Sequence, residues 1–467
     1  MIQRNEPFDG DRYRIGMENI DLLARHGLFD AHVPRYTSYP TAPVFSHNVG
    51  ADFQVAALGA LDPDVPVSLY VHIPFCERLC WFCACRTQGT RTLGPVEHYL
   101  NSVKKELRNI ASLVPAGLRM GRLHWGGGTP TILPPVLIHE LAQAIKEAVP
   151  PADDFEFSVE IDPTMVDDAK IAALAAEGMN RASIGIQDFS PQVQAAIGRD
   201  QPYELTEQCV AALRAAGITS LNTDLVYGLP HQSEDDIADT VQKVLDLAPD
   251  RVALFGYAHV PHMAKRQKLI DEASLPGNIA RYHLSLRAAD MFRAAGYETI
   301  GTDHFAKPQD SLARAANNAT LRRNFQGYTT DTCPTLIGVG ASSISRFEGG
   351  YVQNASATGA YLERIEAGSL AGYRGHALTQ DDTLRARVIE MLMCDFAVDE
   401  RTLIDEFGDS ATSLRSIHDA VLVEFAGLVT PHGHALRIVP EGRSLARIIA
   451  HHYDAYADTG AIYSKAS

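Results

Sequence analysis

Six short apolar or β-branched runs, separated by stretches of helical periodicity, constrain this chain most. The runs are Ser68–Phe75, Arg122–Gly127, Glu156–Asp162, Arg181–Gln187, Ser220–Gly228 and Arg251–Ala258. In Val96–Leu113, residues Leu100, Val103, Leu107, Ile110 and Leu113 share one helical face. Pro135–Ala148, Asp167–Glu177, Tyr203–Ala215 and Ser233–Leu247 repeat the periodicity, and Ser233 followed by Asp236 supplies a helix start. Strand–helix alternation of this kind predicts a parallel sheet with helices outside. Six units are too few for a full eight-unit barrel. The expected fold class is therefore α/β, an open (β/α)6 partial TIM-type barrel.

The notable polar residues fall at one end of these runs. A cysteine-rich loop follows the first, and Gly126-Gly127-Gly128-Thr129-Pro130 follows the second. Glu160 closes the third, Gln187 the fourth, Asp224 lies in the fifth, and Tyr257-Ala258-His259 ends the sixth. Barrel enzymes build their sites at the C-terminal ends of the strands. Six polar features at one end make a site.

The cysteine loop holds Cys76, Cys80 and Cys83 in a C-x3-C-x2-C spacing. A cubane iron–sulfur cluster normally takes four thiolates, so three leave one iron open, which is a mark of chemistry. A zinc knuckle would want paired C-x2-C units, and only one x2 pair is present. The chain has 7 cysteines, an odd number, with four packed together, which argues against disulfides. Cys85 is either a spare ligand or an accessory thiol. Cys209, Cys333 and Cys394 are isolated and read as buried small apolar residues. The C-x3-C-x2-C spacing resembles the signature of the radical S-adenosylmethionine (SAM) enzymes, in which the amino and carboxylate groups of SAM chelate the open iron.

Composition bounds the rest. The chain has 467 residues, 46% of them hydrophobic and 21% charged, as expected of a soluble globular protein. No run reaches the roughly 18 apolar residues of a membrane span, and residues 1–16 lack a secretory apolar segment. Clustered reduced cysteines predict a cytoplasmic location. A net charge of −16 argues against broad nucleic-acid binding. An anionic substrate would need a local basic pocket, for which Arg35, Arg199, Lys307, Arg322 and Arg323 are available.

Four segments are expected: an extended N-terminal arm over residues 1–55, the partial barrel over 56–310, a site-lining connection over 311–375, and a mainly helical C-terminal domain over 376–467. In the connection, Asn324–Tyr328 and Gly338–Ser345 read as loops. The C-terminal part reads as helices Asp381–Leu392 and Ala411–Glu424, a small β-wing Gly427–Val439 and a terminal helix, a winged-helix-like cap.

Individual residues suggest roles. A Gly-rich loop lets backbone approach the methionine part of SAM. Glu160 is placed to accept hydrogen bonds from an ammonium or a ribose. Asp224 inside an apolar run needs a partner, whether a ribose, an amine or Arg199. Trp81 and Phe82 either pack on adenine or shield the metal.

Over nearly its whole length the chain resembles the oxygen-independent coproporphyrinogen III oxidases of haem biosynthesis. The segments that carry the resemblance are Pro34–Ala42, Ser68–Cys85, His124–Pro130, Val159–Pro163, Gly185–Phe189, Asp224–Pro230, Tyr257–Pro261, Asp303–Ala306, Asn324–Thr330 and Gly338–Ser345. The resemblance implies oxidative decarboxylation of two propionates of coproporphyrinogen III to vinyls, giving protoporphyrinogen IX and carbon dioxide. A 5′-deoxyadenosyl radical takes a hydrogen from the propionate β-carbon, and one SAM is consumed per propionate. By motif, Cys76, Cys80 and Cys83 would ligate a [4Fe-4S] cluster. Tyr70, Gly127, Glu160 and Ile344 would line the cluster-bound SAM. Phe82, Gly128, Thr129, Gln187, Arg199, Asp224 and Ala258 match the surroundings of a second SAM. Tyr70, His72 and Glu160 are the catalytic candidates, His72 either a proton donor or a structural histidine. The Arg35–Tyr39 arm would close over substrate carboxylates. A reducing donor such as flavodoxin or ferredoxin is implied, and a monomer is expected.

The chain departs from one well-known version of the family pattern at Ala84 and Arg86, which stand for a glycine and an asparagine flanking the fourth cysteine, and at Trp81, which stands for a tyrosine. None of these removes a ligand. Two rival readings are a haem chaperone of the related radical SAM group and a radical SAM enzyme that methylates and opens haem. The chaperones are shorter and lack both the Pro34–Ala42 arm and a cysteine at the place of Cys85. The haem-opening enzymes lack several of the matched loops.

Overall fold

The computed structural model describes residues 19–457 together with Tyr463, Lys465 and Ala466. Residues 1–18 of the expected arm lie outside the described residues. Six parallel strands form the heart of the molecule: β1 Val67–Ile73, β2 Met120–Gly127, β3 Pro151–Ile161, β4 Arg181–Gln187, β5 Ser220–Tyr227 and β6 Arg251–Gly256. Between successive strands run α1 Gly94–Ala111, α2 Pro135–Ala148, α3 Asp168–Ala176, α4 Tyr203–Ala215 and α5 Glu234–Leu247, and α6 Asn278–Ala294 follows β6. The helix bounds lie close to those read from periodicity. Ser233 caps α5 in a capping box with Asp236, its hydroxyl accepting from the Asp236 N–H. In α1, Val96, Leu100, Val103, Leu107 and Ile110 are all buried, as an apolar stripe at i, i+3, i+4 and i+7 requires.

The sheet does not end with the six parallel strands. It has 12 strands among the described residues. Past β6 lie β7 Glu298–Ile300 and β8 His304–Ala306, both antiparallel. Beside β1, β9 Leu336–Val339 pairs in parallel, and β10 Ile344–Phe347, β11 Gly350–Asn354 and β12 Gly372–Ala377 continue as a meander. The loop reading of Gly338–Ser345 is thus corrected, because the stretch spans the end of β9 and the start of β10. Its glycines hid the strand pattern. Gly338 sits where a Cβ would lie 2.7 Å from the Ile344 carbonyl oxygen, so small residues let the two strands close on one another. The consequence for β1 is that it has neighbours on both edges, and all seven of its residues are buried.

The main core joins the barrel strands to their helices, with Trp125, Phe157 and Tyr361 fully buried. Each such side chain contributes about 1.5–3 kcal/mol relative to exposure. Glu106 of α1 is also fully buried. It accepts hydrogen bonds from Gly340 N (2.8 Å), Asn354 Nδ2 (2.8 Å) and the Tyr361 hydroxyl (2.8 Å). One carboxyl group therefore ties α1 to β11 and the turn after β9.

A second core lies in the C-terminal part, which holds helix α7 Gln380–Asp395, helices Arg415–Glu424 and Ala446–His451, and the hairpin Val429–His432 with Ala435–Ile438. Residues 20–39 of the N-terminal arm belong to this core. Ile20–Arg25 is a helix rather than extended chain, which corrects the expectation for that stretch. Leu23, Leu28, Phe29, Val33, Tyr36 and Tyr39 pack with Leu392, Leu414 and Tyr453. Arg447 Nε donates to Pro34 O (3.1 Å), and the Tyr39 hydroxyl accepts from Ala455 N (2.9 Å).

Candidate functional site

β1 leads into the cysteine loop and β2 into the glycine run, and these neighbouring strands build the first half of the site. Gly128 N donates to Ile73 O (2.8 Å), and Thr129 N donates to Phe75 O (2.8 Å), so the glycine run continues the pairing beyond the strand ends. A Cβ on Gly128 would lie 2.6 Å from Phe75 O, and one on Gly127, which has φ +112°, would lie 2.5 Å from His72 Cε1. Glycine is needed at both positions for this close approach.

Cys76, Cys80 and Cys83 are free thiols, all partly exposed on one loop. No group of three or more His, Cys, Asp or Glu side chains among the described residues is placed to hold a single metal ion. A cubane asks for something else: one thiolate for each of three irons. The donor set fits that demand. Thr129 Oγ1 donates to Cys76 Sγ (3.5 Å), and Arg199 Nη1 donates to Cys80 Sγ (3.5 Å). Cys83 is held below its ordinary range by a hydrogen bond from the exposed Cys85 thiol, with Arg266 and Arg199 adding positive charge. Cys76, with fewer such partners, is pushed by burial up to about 11. Donors aimed at sulfur favour thiolate over thiol, as cluster ligation requires.

Behind the loop lies an aromatic and acidic wall. The Tyr70 ring stacks on His124 (5.7 Å) and meets the edge of Phe325 (5.0 Å). His72 Nε2 lies 3.1 Å from the Arg86 carbonyl, which only accepts, so a neutral His72 carries its proton there. The Tyr70 hydroxyl then donates to His72 Nδ1 (3.0 Å). Burial lowers the pKa of His72, which keeps it neutral. Glu160 Oε2 accepts from Gly127 N (3.0 Å), and Oε1 faces His124 Nε2 (3.4 Å). Burial alone would raise Glu160, but His124 and the Gly127 N–H outweigh it, and the carboxylate is held ionised. Phe325 sits in a hairpin of Arg322–Asn324 with Gly327–Thr329, within the stretch read as a site-lining loop. The sequence marks His124 only as one end of the His124–Pro130 segment. Its place opposite Tyr70 on the next strand follows from the β1–β2 register.

The strands β4 to β6 carry the other predicted residues. Gln187 has φ +73° at a register break between β4 and β5. Asp224 is partnered by Asn222 Nδ2 (2.8 Å) and the Ser183 hydroxyl (3.1 Å), so it does not depend on Arg199. Burial and then the charge of Glu160 push it up to about 6. Arg199 instead donates to Gly185 O (2.7 Å) and Gln201 Oε1 (2.9 Å), fixing its remaining donor toward Cys80. Gln267 Nε2 donates to the carbonyls of Phe82 (2.8 Å) and Ala258 (3.1 Å), which joins the cysteine loop to the end of β6. Phe82 and Trp81 pack beside Val193, Ile197 and Tyr257, and Trp81 covers Gly198. Ile344 opens β10 and lines a second cavity together with Phe325. Cys209 and Cys394 are buried, as read, while Cys333 is partly exposed.

Beside Ala258 opens a cavity of about 690 Å³ at the ends of β5 and β6. Its walls include Arg35, Arg281, Arg323 and Arg447. Arg35 and Arg323 are among the cations the sequence makes available for an anionic substrate. Arg281 and Arg447 carried no motif, since a lone arginine in a helix usually marks a solvated face.

The comparisons agree with the fold and with these motifs. The Radical SAM superfamily profile matches residues 70–244. The chain is 61% identical over 452 residues to the oxygen-independent coproporphyrinogen III oxidase of Cereibacter sphaeroides, covering 97% of this chain and 100% of that one. It is 52% identical to the enzyme of the same description from Paracoccus denitrificans, over 94% of this chain and 98% of that one. Among solved structures, coproporphyrinogen III oxidase (HemN) from Escherichia coli, a radical SAM enzyme, superposes with a TM-score of 0.87 at 37% identity, covering 91% of this chain and all of that one. The chain belongs to the oxygen-independent coproporphyrinogen III oxidase family of radical SAM enzymes.

Proposed function

We propose that the chain performs the reaction its family is named for: oxygen-independent oxidative decarboxylation of coproporphyrinogen III to protoporphyrinogen IX in haem biosynthesis. The observation that carries this reading is a shared placement: a three-thiolate loop, an ionised Glu160 and an arginine-walled cavity all lie toward the C-terminal ends of the strands. Cys76, Cys80 and Cys83 would hold a [4Fe-4S] cluster. When bound there, SAM supplies a carbon radical able to take hydrogen from an unactivated C–H bond.

The chain's own residues bind and orient. Gly126, where a Cβ would lie 2.6 Å from Glu160 Oε1, leaves room for Glu160, and Gly127 N donates to it; this carboxylate suits the ammonium of SAM. Tyr70, clamped by His124 and Phe325, and Ile344 would line the same molecule. His72, with both ring nitrogens engaged, fits a residue that orients Tyr70 better than one that delivers a proton. Phe82, Gly128, Thr129, Gln187, Arg199, Asp224 and Ala258 would surround a second SAM. Arg199 also shields Cys80. The segments over residues 1–55 and 376–467 would act together as a cover, since residues 20–39 share one core with the C-terminal part. The chaperone reading is not favoured, because the Pro34–Ala42 arm is present and docked. A reducing donor such as flavodoxin or ferredoxin, a monomeric state and a cytoplasmic location complete the reading. No helix among the described residues is long and apolar enough to cross a membrane.

Anaerobic reconstitution with iron and sulfide, followed by reductant, SAM and coproporphyrinogen III, tests this. Mass spectrometry is expected to show 5′-deoxyadenosine together with protoporphyrin. Deoxyadenosine without decarboxylation would refute the substrate, and stable haem binding with no turnover would favour the chaperone.

A further inference from the structure

The cavity beside Ala258 concentrates positive charge in a chain whose net charge is −16. Six arginines line it, and four of them come from four segments far apart in sequence: Arg35 from the arm, Arg281 from α6, Arg323 from the hairpin and Arg447 from the C-terminal helix. The acidic side chains on its walls are Asp303 and Glu441. Asp303 is already engaged by His304 Nδ1 at 2.7 Å, with Arg323 Nη1 4.0 Å away. Burial and the charges of Arg35 and Arg323 hold Arg447 down to about 10, so these cations oppose one another. Like charges gathered in a partly desolvated space are costly unless an anion joins them.

The arginines are also held in place. Arg35 Nη2 donates to Gly256 O (3.0 Å), Arg281 Nη2 to Tyr257 O (2.7 Å) and Arg447 Nε to Pro34 O (3.1 Å). Arg323 lies over the Tyr328 ring, 4.4 Å from its centroid, and its buried Nε meets no acceptor among the described residues. Preset guanidiniums suit carboxylates, which accept paired N–H donors. The hairpin adds a direction. Arg323 borders both this cavity and the second one, which Phe325 and Ile344 line, and Phe325 touches Tyr70 on the cysteine side. A ligand anchored at Arg323 therefore extends toward Tyr70.

Coproporphyrinogen III carries four propionates, and the reaction consumes two. We infer that Arg281, Arg323, Arg447 and Arg35 grip the carboxylates of the two propionates that are kept, and so present the other two to the Tyr70–Glu160 wall. This rests on the substrate proposed above. It also explains why the arm and the C-terminal part dock on the barrel mouth: two of the four arginines arrive with them.

The test uses reconstituted holoenzyme and coproporphyrin III, the fluorescent oxidised form of the substrate, in a binding titration. Arg281→Gln and Arg323→Gln are each expected to weaken its Kd about tenfold or more. Arg281→Lys should recover part of the loss, because charge returns without the paired geometry. Affinity of the parent should fall with added salt, and the coproporphyrin tetramethyl ester, which has no carboxylates, should not compete. Iron content and Tm measured on each variant separate lost binding from lost fold. Unchanged coproporphyrin affinity in both glutamine variants, or competition by the ester, would overturn the inference while leaving the proposed reaction intact. Failure of the parent to bind coproporphyrin III at all would overturn both.

Discussion

The two halves of the site are made in opposite ways. The cysteine side is local: Cys76, Cys80, Cys83, Gly127, Gly128 and Glu160 lie on the ends of three neighbouring strands, β1 to β3. The arginine side is assembled from residues as far apart as Arg35 and Arg447. The first half depends on backbone approach between adjacent strands, and the second on docking of the arm and C-terminal part. Damage to one should therefore leave the other standing, and the two should differ in how they respond to mutation and to pH.

The largest effect is expected on the cysteine side. Replacing Cys76, Cys80 or Cys83 with alanine should abolish the iron–sulfur absorbance and all turnover, while coproporphyrin binding on the arginine side survives. Next comes Glu160→Gln, which keeps the shape but removes the charge that accepts from Gly127 N and faces His124. Loss of a hydrogen bond to a charged group costs about 1.5–3 kcal/mol, so kcat/KM for SAM should fall roughly 10- to 100-fold. Steady-state kinetics at varied SAM concentration would check it, and an unchanged value would show that Glu160 does not meet SAM.

This division also explains what could be read from the sequence. The barrel was legible because each strand and helix states its period locally, and Glu160 and Asp224 stand out in the sequence because one closes a strand and the other is a charge inside an apolar run. β9 to β12 were not, since Gly338, Gly340 and Gly350 interrupt the alternation that marks a strand. Arg281 and Arg447 were not, because nothing near either residue in sequence signals that the fold will bring it to Arg35. The partners of Asp224 were missed for a simpler reason. Asn222 is two residues back on the same strand and Ser183 is across the β4–β5 pairing, so both are reachable from register, whereas the sequence alone offers a ribose, an amine or Arg199.

On the arginine side, stability should depend on the arm. Leu23 is fully buried in the shared C-terminal core. Leu23→Ala should cost about 2–5 kcal/mol of arm docking. Limited proteolysis should then cleave near residues 19–35, and the iron–sulfur absorbance should remain. Loss of the cluster in that variant would show that the halves are not independent.

The smallest effect sharpens the contrast by pH. Burial and Glu160 raise Asp224 to about 6 in the folded state. Between roughly pH 4 and pH 6 the folded protein holds a proton that the unfolded chain has lost, so Asp224 makes stability fall as pH rises through this window. Asp303 has the opposite sign. Burial would raise it, but His304, Arg323 and Arg35 bring it down to about 2. Its contribution is present above the unfolded value near 4 and is lost as pH falls toward 2. At pH 7, Asp224→Asn should therefore raise stability and Asp303→Asn lower it, each by on the order of 1 kcal/mol. Urea midpoints of the two variants against the parent at pH 5 and pH 7 would show it.

The most direct test of a two-part site is to break the arginine side and watch the cysteine side. Electron paramagnetic resonance of the reduced cluster in the Arg281→Gln holoenzyme, recorded with and without SAM, does this in one experiment. The account predicts that adding SAM changes the spectrum as it does in the parent, although coproporphyrin binding is weakened about tenfold. A variant that loses the SAM response together with coproporphyrin binding would contradict the account, because the two halves would then be one.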